Sequence, residues 1–300
     1  MHDAIIATRG LTRFFDSRAA VDSLDVVVPA GSVYGFLGPN GAGKTTTIRM
    51  LLGLLRPSAG SLSLFGKEGS TLESRRRIGA LVEAPSLYPH LTAEENLRHT
   101  CLLKDLPERE IGRVLGIADL RGDATRLVKG FSLGMKQRLG LANSLLGNPE
   151  LVILDEPTNG LDPAGIQEVR HLLRDMPAQH GVTVFLSSHL LAEVEQIAGR
   201  IGIIAEGRLQ FEGTPAELRA RRGGVLRIGV ERPSVAAHML RQQGFEAETV
   251  EPEAINLPAC DTQQSAAINR LLVERGFSVY AIERLEPTLE ELFLDMTRNA

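Results

Sequence analysis

Along the first 215 residues, short uninterrupted apolar runs alternate with segments whose apolar positions recur every three or four residues. Residues 33–37, 151–154 and 182–186 lack the in-out alternation of a half-exposed strand and predict strands buried on both faces. Their alternation with helical segments predicts an α/β domain with a largely parallel sheet. Residues 201–205, Glu206-Gly207 and residues 208–212 predict a hairpin whose glycine supplies the positive φ of its turn.

Two changes of texture divide the chain. Between about residues 84 and 128, helical patterns punctuated by Pro85, Pro89 and Pro107 predict a helical insertion. After Gly223-Gly224 the pattern predicts a strand at 226–230, a helix at 235–243, strands at 247–250 and 254–257, a helix at 265–274 and a strand at 278–283. That β-α-β-β-α-β order is ferredoxin-like, and a last helix is expected at 288–296. The expected organisation is a domain over residues 1–217, carrying the insertion, and a small α+β accessory domain over 224–300.

Charge and composition narrow the function. With 33 Lys and Arg against 37 Asp and Glu, the net charge of −4 gives no global positive field for a phosphate backbone, so no nucleic-acid partner is expected. Arg75-Arg76-Arg77 and Arg219 with Arg221-Arg222 read as solvated surface. No apolar stretch approaches the ~18 residues needed to cross a bilayer. Residues 50–55 are broken by Gly53 and followed by Arg56, and the first ten residues carry an acid where a secretion signal has bases, so a cytosolic location is expected. Cys101 and Cys260 lie far apart without ligand-like neighbours, which argues against a disulfide framework or a zinc site.

The chemistry begins at Gly38-Pro39-Asn40-Gly41-Ala42-Gly43-Lys44-Thr45, a G-x4-G-K-[ST] phosphate loop between an expected strand and a helical run from Thr46 to residue 55. Its glycines let backbone N–H groups point inward at phosphates, aided by the positive end of the following helix. Lys44 then neutralises phosphate charge and the Thr45 hydroxyl ligates Mg²⁺. Asp155 and Glu156 follow an apolar strand, so one carboxylate can address Mg²⁺ while its neighbour reaches an attacking water. Alone, such a pair also reads as a polar strand end. Residues 131–138 precede a helix that Ser132 can cap, and on their own are no more than a capped helix start. His189, after Ser187-Ser188, either bonds a γ-phosphate or ends its strand.

In combination these segments resemble the ATP-binding cassette (ABC) family, specifically the nucleotide-binding subunits of ABC transporters. Five elements stand in the family's order: the phosphate loop, the signature segment 131–137, Asp155-Glu156, Gly160-Leu161-Asp162, and His189. The resemblance covers about residues 5–215, and the strings at 133–138 and 287–293 resemble export ATPases of the bacitracin, lantibiotic or drug-resistance type. It implies a P-loop NTPase core of the ABC ATPase type that binds and hydrolyses ATP with Mg²⁺. Residues 38–46 would cradle the nucleotide, with Phe15 stacking on adenine; the adjacent Phe14 is the rival, and core packing the other account of either ring. Ser132 and Gly134 would contact the γ-phosphate held by a second copy, and Asp162 would lie in the loop crossing between the two sites. Glu156 is implied as general base, His189 as γ-phosphate switch and Lys44 as phosphate ligand. Thr45 and Asp155 are implied as magnesium ligands together with Glu83, which stands where most of the family carries Gln. A carboxylate there can still meet Mg²⁺ but adds negative charge beside three phosphates and Asp155. Leu133 and Met135 also depart from the usual signature.

The resemblance further implies a head-to-tail homodimer with two ATP sites and a separate integral membrane permease that holds the chain at the inner face of the cell membrane. Glu83, Leu87, Tyr88 and Leu91, at the start of the insertion, are the candidate permease-docking surface, ordinary core packing being the alternative. The competing reading is a soluble ABC ATPase acting on ribosomes or DNA. Against it stand the single cassette, the absence of sustained heptads and the net negative charge.

Overall fold

The computed structural model describes residues 4–221, 224–250, 253–285 and 288–298. Residues 1–3, Arg222, Gly223 of the expected junction and Pro287 of the export-type string lie outside them. The chain forms two compact units, Met1–Pro215 with Asp295–Ala300, and Ala216–Leu294.

In the first unit, β1 (Ala4–Phe15), β2 (Arg18–Leu24) and β3 (Val27–Pro29) precede β4 (Val33–Leu37) and α1 (Lys44–Leu51). Next come β5 (Ala59–Leu64), β6 (Lys67–Glu68), α2 (Leu72–Arg76) and β7 (Ile78–Leu81). The insertion contains α3 (Ala93–Lys104) and α4 (Arg109–Ile117), after which the chain continues through α5 (Leu133–Ser144), β8 (Leu151–Asp155), α6 (Pro163–His180), β9 (Thr183–Ser188) and α7 (Leu191–Val194). β10 (Arg200–Ala205) and β11 (Arg208–Gly213) complete it.

The central sheet has the order β11-β10-β4-β9-β8-β7, parallel except for the β10-β11 hairpin. Every residue of β4, β8 and β9 is buried, which is why these strands read as continuous apolar runs. Tyr34 stacks on Phe185 at 5.6 Å between ring centres and its hydroxyl donates a hydrogen bond to Glu212 Oε1 at 2.9 Å, satisfying a polar atom within the core.

A second, antiparallel sheet, β2-β1-β5-β6 with β3 on β1, was not anticipated beside the expected parallel one. The register of β1 against β2 shifts twice between Leu11 and Phe14. Such bulges interrupt the period of two by which a half-buried strand is recognised. α1 also differs from expectation, starting at Lys44 and ending at Leu51, beyond which Gly53 turns the chain at φ 70°.

The insertion is anchored at both ends. Thr92 caps α3 in a reciprocal bond with Glu95. Glu110 pairs with Arg113 at 2.6 Å and accepts from the Gly147 N–H, while Arg113 donates to the Leu145 carbonyl, so α4 is tied to the end of α5. Of the candidate docking residues, Tyr88 is exposed and Leu87 and Leu91 are half-buried, so full core packing describes none of them.

The second unit contains most of α8 (Pro215–Arg221), then β12 (Val225–Val230), α9 (Pro233–Gln242), β13 (Glu248–Val250), β14 (Ala254–Pro258), α10 (Thr262–Glu274), β15 (Val279–Leu285) and the first part of α11 (Leu289–Arg298), up to Leu294. Its antiparallel sheet has the order β13-β14-β12-β15. Leu226, Ile228, Ile255 and Leu257 pack with Leu240 of α9 and Leu272 of α10 into a separate core.

Candidate functional site

The loop between β4 and α1 owes its shape to Gly43, whose φ of 109° is costly for any residue with a Cβ. A Cβ there would also lie 2.5 Å from the Ala20 carbonyl oxygen. Gly43 thus ends the loop and caps α1, and Lys44 becomes the first helical residue. Lys44 is almost fully buried; its ammonium donates to the Gly38 carbonyl at 2.6 Å and the Pro39 carbonyl at 3.2 Å, and pairs with Glu156 Oε1 at 3.1 Å.

Opposite the loop, β8 and β9 run parallel with Asp155 beside Ser187. Thr45 Oγ1 donates to Asp155 Oδ2 at 2.8 Å. Ser187 Oγ donates to Asp155 Oδ1 at 2.6 Å and accepts from the Glu156 N–H at 2.9 Å. Glu156 has φ 50°, a conformation that costs a non-glycine residue about 1–3 kcal/mol and is retained where surrounding contacts over-determine it. Here those contacts are Lys44 on Oε1 and His189 Nδ1 on Oε2 at 2.7 Å.

Lys44, Thr45, Glu156 and His189 line a cleft of about 340 Å³ that includes Pro39, Asn40, Gly41, Thr46 and Asn159, with Asp155 buried behind Thr45. Loop N–H groups and the N-terminus of α1 offer positive potential for an anion, Lys44 offers a charge, and Glu156 with His189 forms an acid–imidazole pair at the rim. A larger cleft of about 660 Å³ lies among α4, α5 and α6. Its Arg113 and Arg138 are already bonded to backbone carbonyls and carboxylates, so volume alone does not pick the site.

The remaining expected residues lie elsewhere. Phe14 and Phe15 are about half exposed at the end of β1, with the Arg13 guanidinium 4.8 Å above the Phe15 ring, so core packing accounts for neither. Ser132 caps α5 by accepting from the Met135 N–H at 3.1 Å, Gly134 is buried against Gly165 of α6, and Asp162 caps α6 through the Gly165 N–H. These three gather where α5 and α6 begin and do not line the phosphate-loop cleft. Glu83 is engaged with Arg49 in this structure, its carboxylate accepting from Arg49 Nη2 at 2.6 Å, while Thr45 and Asp155 are bonded to each other.

Two contributors escaped the sequence reading. Ser187 sits in the Ser-Ser-His string but is identified only by its register beside Asp155. Thr158, which donates to Glu193 at 2.5 Å, ties the loop after Glu156 to the helix after His189.

Comparison with known proteins follows the same lines. Residues 21–159 match the family model described as ABC transporter. The bacitracin transport ATP-binding protein BcrA of Bacillus licheniformis is 42% identical over 297 residues, covering 97% of each chain. The lantibiotic transport ATP-binding protein SrtF of Streptococcus pyogenes is 41% identical, covering 69% of this chain and 90% of its own. Among solved structures, cbiO1 of Clostridium perfringens, part of the ABC transporter complex cbiONQ, matches with TM-score 0.68 and 28% identity over 73% of this chain and 91% of its own. The ATP-binding cassette MJ0796, in a dimeric post-hydrolysis state with ADP and Pi, shares the fold with TM-score 0.62 and 23% identity over 70% of this chain and 98% of its own.

Proposed function

The chain belongs to the ABC transporter family as an ATP-binding, ATP-hydrolysing subunit, and from that premise we propose that it powers export of a drug, peptide antibiotic or related compound through a separate membrane permease. The observation that carries the catalytic part is the Lys44–Glu156–His189 chain facing the phosphate loop. A triphosphate seated on the loop N–H groups offers Lys44 an anionic partner in place of Glu156. The released carboxylate, still held by His189, is then free to take a proton from an attacking water, with His189 facing the γ-phosphate.

Thr45 Oγ1 and Asp155 Oδ2 are hard oxygen donors 2.8 Å apart and suit Mg²⁺. When bound there, the ion would neutralise charge on the phosphate oxygens. Ser187 keeps Asp155 oriented toward that position. Phe15, exposed at a strand end, remains the proposed adenine platform. Ser132, Gly134 and Asp162 form the proposed face toward a second copy, each chain completing the other's site in a head-to-tail homodimer. No helix among the described residues is long and apolar enough to cross a membrane, which agrees with a permease supplied by another chain and a cytoplasmic position at the membrane face. The C-terminal ferredoxin-like unit is the proposed accessory domain.

Purified chain should release phosphate from ATP only with Mg²⁺, and Lys44→Met should abolish both nucleotide binding and turnover. Undiminished ATP binding by Lys44→Met would contradict the site. Retention of the chain on ribosomes or RNA, with no membrane protein co-purifying, would favour the soluble alternative.

A further inference from the structure

The resemblance implies Gln where this chain has Glu83, and a carboxylate there would add negative charge near a triphosphate bound at the loop. Strand β7 ends at Leu81, and Glu83 adopts φ 65°, uncommon for a residue with a Cβ. Its carboxylate bonds to Arg49 at 2.6 Å, across 34 residues of sequence. Arg49 belongs to α1, four residues after Thr45, so the two share one face of the helix about 6 Å apart along its axis. Glu83 is therefore parked one helical turn from the Thr45–Asp155 pair, with its charge cancelled.

We propose that Arg49 is a positioning residue that neutralises Glu83 and holds it away from the nucleotide phosphates, the ion pair serving in this chain as one neutral amide does elsewhere. The proposal rests on the reading that the loop binds ATP. It also gives the ion pair a second consequence: the phosphate-loop helix is joined to the strand end from which the helical insertion departs. Both side chains are substantially exposed, so the pair adds little to folding stability and its effect falls on the ligand.

The test is a double-mutant cycle on the full chain, read as affinity for a fluorescent ATP analogue in EDTA at low salt, so that neither metal nor turnover enters. With Glu83 present, Arg49→Met should weaken binding roughly five- to tenfold, because the Glu83 charge is no longer cancelled and repels the phosphates. In the Glu83→Gln background the same change should cost no more than about twofold, the loss of a distant cation alone. Arg49→Lys should restore near-parental affinity, since the contact uses a single guanidinium nitrogen. Equal losses in both backgrounds, or failure of Lys to rescue, overturn the proposal. A parent chain that does not bind the analogue overturns the nucleotide reading itself, and this proposal with it.

Discussion

At the residue scale the site depends on a few oxygen atoms that no single segment supplies. Ser187 is the instructive case: it donates to the Asp155 carboxylate and receives the Glu156 N–H, so it fixes both acids without touching the phosphate loop. Ser187→Ala should lower turnover roughly tenfold or more while leaving ATP affinity within about twofold, the pattern of a lost outer-layer partner. Steady-state kinetics with parallel binding titrations check this, and unchanged turnover would sink it. Lys44, Thr45, Asp155 and Glu156 were legible because phosphate chemistry demands those types beside glycines and strand ends. Their partners were not, because Glu156 meets His189 only once β8 and β9 lie side by side, and sequence spacing carries no record of strand order. The same holds for Glu83, whose type is visible in the sequence and whose bond to Arg49 is not.

At the element scale, the strands buried on both faces were the clearest signal, and β4, β8 and β9 lie within two residues of expectation. The antiparallel sheet was obscured by its bulges. The insertion shows how a helical element is held in place by polar atoms. The Arg113 guanidinium beside Glu110 holds that carboxyl below its ordinary range, helped by the Gly147 N–H. Burial opposes this shift. A carboxyl whose folded pKa lies below its unfolded value of about 4.5 stabilises the fold above that pH and loses its contribution as pH falls toward the folded value. Urea unfolding at neutral pH should therefore find Glu110→Gln less stable than the parent, with the gap closing under acid. A gap that persists or widens below pH 4 would assign the stability to another contact.

At the scale of the whole molecule, the described lining of the phosphate-loop cleft comes entirely from the first unit. Removing residues 224–300 should accordingly leave ATP-analogue affinity within about twofold, since none of the residues lining the cleft is removed. A truncated chain that folds but no longer binds would show that the second unit shapes the cleft.

Whether Glu156 activates the water in a site completed by two chains is read from the mass of the Glu156→Gln chain by light scattering with ATP and Mg²⁺, alongside its phosphate release. A stable ATP-dependent dimer is expected, with turnover reduced roughly a hundredfold or more, because the amide keeps the shape of the acid and cannot accept the proton. A variant that remains monomeric with ATP, or hydrolyses it at the parental rate, would refute both the base and the shared site.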